Sequence, residues 1–155
     1  VAITDYGEPV ERGDISAYAP PGLAVLFEGV LASPPDTLGK VIANIRLRAN
    51  DYDAYLTYWK AHEIPLKHVI DTINRKQIGV VVYTLLPVEV AEAIDRWLIK
   101  RNISTTVVPY ADIDDLTETS KFFPEIKTIY VADQEYARRI GMKATVVTPE
   151  TSWNL

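Results

Sequence analysis

The chain contains no cysteine, which removes disulfides, thiol nucleophiles, thiolate metal sites and iron–sulfur clusters together. It has two histidines, His62 and His68, with no companion ligands at metal-binding spacing. Neither G-x-x-x-x-G-K-[ST] nor G-x-G-x-x-G occurs, so no glycine loop is available to cradle a phosphate. The absence of G-x-S-x-G leaves the histidines without a serine elbow to serve. No apolar run approaches the ~20 residues of a membrane span. Positive charge is in deficit: 16 basic against 21 acidic side chains, net -5. Broad attraction to nucleic acid or to an anionic bilayer is therefore not expected. The first stretch holds Asp5, Glu8, Glu11 and Asp14 against Arg12 alone, whereas a secretory leader needs a basic start and an apolar run. The expectation is a soluble, cytoplasmic protein with no nucleic-acid and no membrane partner.

What remains is ordinary for one globular domain: 155 residues, 48% hydrophobic and 24% charged. No repeat, low-complexity tract or linker divides it, so residues 1–155 read as a single domain. Residues 1–22 are irregular, with Gly7, Pro9, Gly13, Pro20, Pro21 and Gly22 interrupting any regular element. Continuous apolar runs at Leu23–Phe27 and Gly79–Tyr83 suit strands buried on both faces. Further strands are predicted at Ser104–Val108, Thr128–Ala132 and Ala144–Val147. Helices are predicted over Asp51–His62, Pro65–Lys76, Pro87 to about Arg101 and Gln134–Ile140. Leu66, Val69, Ile70 and Ile73 give the second of these its apolar face. Val88, Ala91, Ile94 and Leu98 do so for the third. Gly141 suits a helix C-cap. Val41–Leu47 alternates loosely and reads as a hairpin strand. Residues 33–77 form a small insert between the first two core strands.

The second half thus alternates strand and helix, the pattern of a parallel α/β sheet. Right-handed crossovers place the strand C-termini on one edge, where ligands of such sheets bind. Glu28, Thr84, Pro109 and Asp133 fall there. Asp112, Asp114, Asp115 and Glu118 form an acidic cluster best explained as the start of a helix. Tyr52, Tyr55, Tyr58 and Trp59 crowd one short helix. They are either an interaction surface or a face packed on the core.

The order of these segments resembles the haloacid dehalogenase-like (HAD-like) superfamily. Ala24-Val-Leu-Phe-Glu-Gly-Val-Leu31 has the shape of its first motif, Val80-Val-Val-Tyr-Thr84 of its second, and Thr128-Ile-Tyr-Val-Ala-Asp133 of its fourth. The resemblance implies a three-layer Rossmann-like sandwich with a mainly parallel five-stranded sheet and a minimal helical cap. It also implies a central first strand, flanked by the second and fourth. Motif-poor members of this kind are encoded by phages among other sources. By the same resemblance, Thr84 would bind phosphate, Lys121 or Lys127 would neutralise charge, and Asp133 would hold Mg²⁺. Glu28 stands in the acid/base slot, but the nucleophile slot holds Leu26, which can neither attack phosphorus nor ligate a metal. The resemblance therefore points to a non-catalytic domain, with no cofactor, that binds a protein partner or a phosphorylated small molecule. The alternatives are a Mg²⁺-dependent phosphohydrolase of small phosphate esters and a homo-oligomeric structural module.

Overall fold

The computed structural model describes residues 21–109, 126, 128–139 and 143–147. In chain order the elements are β1 (Pro21–Leu26), β2 (Ala32–Ser33), α1 (Thr37–Arg48), α2 (Tyr52–Leu56), β3 (Lys60–Ala61) and α3 (Glu63–Lys76). They continue with β4 (Gly79–Thr84), α4 (Val88–Ile99), β5 (Thr106–Pro109), β6 (Thr128–Val131), α5 (Gln134–Arg139) and β7 (Lys143–Val146). Five strands form a parallel sheet in the order β5-β4-β1-β6-β7, and β2 and β3 form a separate antiparallel ribbon.

The sheet is built from the expected strands, with β1 at its centre between β4 and β6. Alternation along β1 explains the layering. Leu23, Val25 and Phe27 join Val80 and Val82 in one core, into which α3 and α4 insert Leu66, Val69, Ile73, Val90, Ile94 and Leu98. Ala24 and Leu26 join Val81, Tyr83, Ile129 and Val131 in the other, where Tyr136 and Ala137 of α5 pack. Helices thus lie on both faces of the sheet, giving a three-layer Rossmann-like sandwich. Each fully buried valine or leucine of β1 and β4 contributes roughly 1.5–3 kcal/mol relative to exposure.

Four local readings are corrected. Val41–Leu47 is not a hairpin strand but the body of α1. The Asp36 carboxylate caps this helix, accepting from the Gly39 N–H at 2.7 Å. The aliphatics Leu38, Val41, Ile42 and Ile45 recur at helical, not strand, spacing. The helix expected over Asp51–His62 stops at Leu56. Asp51 caps its start, but Thr57 Oγ1 turns back to donate to the Ala54 carbonyl at 2.6 Å, and the chain turns into β3. Val88 is exposed, and α4 packs instead through Val90, Ala91, Ala93, Ile94, Trp97 and Leu98. Pro87 is its N-cap rather than its first residue. Gly141 and the acidic cluster of Asp112, Asp114, Asp115 and Glu118 lie outside the described residues.

Candidate functional site

Glu28 stands two residues past the end of β1 and Thr84 ends β4, the strand beside it. Parallel register carries both to the same edge, since Leu26 pairs with Tyr83. Both side chains are buried, and they bond to each other: the Thr84 hydroxyl donates to Glu28 Oε1. The Leu85 N–H donates to the same oxygen at 3.0 Å, and the Leu86 N–H donates to Thr84 Oγ1 at 3.1 Å. The second carboxyl oxygen, Oε2, is buried without a hydrogen-bond partner. Loss of water pushes the Glu28 carboxyl up from 4.5 to about 7, and the bonds from Thr84 and Leu85 pull only partly the other way.

The chain turns away immediately after Glu28, and Gly29 is required there. Its φ is +87°, and a Cβ added to it would stand 2.6 Å from the Ala132 Cβ and 3.2 Å from the Tyr136 ring. Ala132 follows β6. In this strand order the direction of winding reverses between β1 and β6, which is where open α/β sheets hold their ligands. Gly29 packs closely against Ala132 and Tyr136 at that point.

Among the remaining site residues, Leu26 is fully buried in the core. Asp133 is exposed, and its Oδ1 accepts from the Tyr136 N–H at 3.1 Å, in the manner of a helix cap. Lys121 and Lys127 lie outside the described residues. Mg²⁺ needs several converging oxygens. Leu26 offers none, Glu28 has one oxygen engaged and only Oε2 to offer, and Asp133 faces water. Among the described residues no three His, Asp or Glu side chains converge to hold a metal. The described residues therefore do not fit that ion.

The aromatic helix turns inward. Tyr55 and Trp59 are buried, which corrects their reading as an interaction surface, and Tyr52 and Tyr58 pack half-buried against the same core. The Phe27 ring lies 5.4 Å from Trp59 and 5.4 Å from Trp97, edge-on to the latter. Trp59 sits beside the Tyr55 phenol, yet its indole N–H lacks a partner in hydrogen-bond geometry. Burial, with the Glu28 charge adding to it, raises the Tyr55 phenol. A groove of about 290 Å³ runs past Trp59, Trp97, Lys100 and Arg101, and no strand-end residue lines it. The Arg101 guanidinium is already engaged, stacked 3.7 Å over Trp97 and donating to the Trp97 carbonyl at 3.0 Å.

One arrangement had no sequence signal. His62 Nδ1 lies 3.1 Å from the Val30 carbonyl, which can only accept. Nδ1 therefore carries the proton, and Nε2 accepts from the Ser33 hydroxyl at 2.6 Å. The imidazole thus ties the β2–β3 ribbon to the turn after β1, so His62 is half-buried rather than exposed. His68 is half-buried on α3.

No protein-family model matches the chain, and no curated protein or solved structure matches it either. Among the described residues no helix is long and apolar enough to cross a membrane.

Proposed function

We propose that this chain is a non-catalytic domain of the HAD-like type that works in the cytoplasm by holding a protein partner. One observation carries the reading: Glu28 and Thr84, the two strand-end groups best suited to act on a phosphate ester, are buried and bonded to each other. A buried hydroxyl that donates to an internal carboxyl, beside the close packing of Gly29 on Ala132 and Tyr136, is not free to meet a phosphate. Leu26 adds a second support, because a buried aliphatic offers neither nucleophile nor ligand. Binding of a phosphorylated small molecule at this edge is disfavoured for the same reasons.

The test is hydrolysis of an aryl phosphate with Mg²⁺ present. Turnover should not rise above the buffer rate. A Mg²⁺-dependent turnover that Asp133→Asn abolishes would restore the phosphohydrolase.

A further inference from the structure

We propose that the outward face of α1 docks an acidic amphipathic helix of a protein partner. This inference rests on the partner-binding reading and names the surface involved. Helices α3 and α4 turn their aliphatic stripes to the core, but α1 does the reverse. Its only buried residue is Ala43, with Leu47 packed partly alongside. Leu38, Val41, Ile42 and Ile45 stand 75%, 59%, 39% and 58% exposed. Their spacing of i, i+3, i+4 and i+7 makes one continuous stripe, the pattern by which helices seat on one another. Scattered exposed aliphatics are normal on a protein surface, but four in register on one helix mark an interaction site.

Charge selects the occupant. From Thr37 to Asn50 the chain carries Lys40, Arg46 and Arg48 and no acid, although the whole protein is net -5. At ~100° per residue, Arg46 and Arg48 fall on opposite borders of the stripe. An aliphatic strip edged by guanidinium groups complements a helix whose own apolar strip is edged by Asp and Glu. Like charge weighs against the simplest rival, a second copy of this face, whose basic borders would meet their own kind. The stripe exposes on the order of 400 Å², about half of the ~800 Å² per partner that a stable dimer buries. A single docked helix matches that size. A lipid surface matches less well, because the domain's net negative charge opposes an anionic bilayer.

The test uses two labelled helical peptides of about three turns. Both carry leucines at i, i+3, i+4 and i+7; one is flanked by glutamates and its mate by lysines. By fluorescence anisotropy the full chain should bind the glutamate peptide roughly tenfold or more tightly than the lysine peptide. Ile42→Ser with Ile45→Ser should weaken that binding roughly tenfold. Arg46→Glu with Arg48→Glu should reverse the preference, provided circular dichroism shows both variants folded. Equal binding of the two peptides, or binding of neither, overturns the proposal. So does a dimer in sedimentation that Ile42→Glu abolishes, which assigns the face to a second copy. Tighter binding to phosphatidylglycerol vesicles than to the glutamate peptide overturns it in favour of a membrane. Peptide binding that needs removal of residues 1–20 overturns it in favour of the chain's own acidic segment. Any of these results, with phosphate turnover still absent, removes the α1 surface and leaves the partner-binding reading intact. Turnover abolished by Asp133→Asn removes that reading whatever α1 binds.

Discussion

At the strand ends a carboxyl and a hydroxyl are buried, while on α1 four aliphatic side chains face water. Both places invert the usual distribution of polarity, yet they differ in how the inversion is answered. The polar pair is answered inside the molecule. Thr84, Leu85 and Leu86 satisfy Glu28 Oε1 and the Thr84 oxygen, and only Oε2 is left over. The aliphatic stripe has no such answer among the described residues. A buried polar group bonded internally is a closed site, and an apolar face left in water is an open one. Activity is better sought where the inversion is unanswered.

The sharpest way to break this contrast is to open the closed side. Leu26→Asp would bury a carboxylate in an aliphatic core, at a cost of roughly 4 kcal/mol or more. Urea denaturation should find the variant largely unfolded. A folded variant that gains Mg²⁺ affinity by calorimetry would show that the edge is a working metal site after all.

The next effect is a pH dependence. The unfolded Glu28 carboxyl ionises above 4.5, while the folded one keeps its proton up to about 7. Folding stability from this group is therefore lost as pH rises across that window and levels off above it. The loss reaches about 3 kcal/mol by pH 8. Glu28→Gln should remove it, raising Tm at pH 8 and changing little at pH 4. The amide replacing Oε2 brings two donors of its own, so this figure is a ceiling. A variant as pH-dependent as the parent would show that the carboxyl is hydrated rather than sealed.

Smaller again is the tie between ribbon and turn. Ser33→Ala leaves the His62 Nε2 unbonded and should cost about 1 kcal/mol. The pair has the order of a nucleophile and its base, so a fluorophosphonate probe is the second measurement. Absence of labelling at Ser33 is expected of a structural tie, and labelling abolished by His62→Ala would make the pair a reactive site. The smallest effect belongs to the open side. Val41→Ser should shift unfolding free energy by no more than about 0.5 kcal/mol, because the side chain already faces water. A large loss there would mean that α1 is covered within the chain itself.

The sheet was legible because β1 and β4 each contain a continuous apolar run, and their order with β6 restricts the topologies available. α1 was misread because Val41, Ile42 and Ile45 are β-branched and invite a strand. The competing signals, an Asp36 cap and helical spacing, were equally present in the sequence. Tyr55 was correctly placed on a helix and Trp59 was not, since α2 ends at Leu56; which way the two rings face depends on Phe27 and Trp97, far off in the chain. At the site, strand ends put Glu28 and Thr84 on one edge, yet nothing local says that they bond to each other. That bond joins residues from different strands and depends on the register of Leu26 with Tyr83. The Ser33–His62 contact was illegible for the same reason.

The central position of β1 also governs how the chain comes together during synthesis. Of the described strands β1 is made first, yet Leu23 pairs with Val80 and Val25 with Tyr130. Its two neighbours leave the ribosome one long interval apart, and the sheet cannot close until the second arrives. Pairings so distant in sequence form slowly. In the meantime the apolar segment Leu23–Phe27 has a bare edge and two uncovered faces, the condition in which a newborn chain aggregates or engages a chaperone.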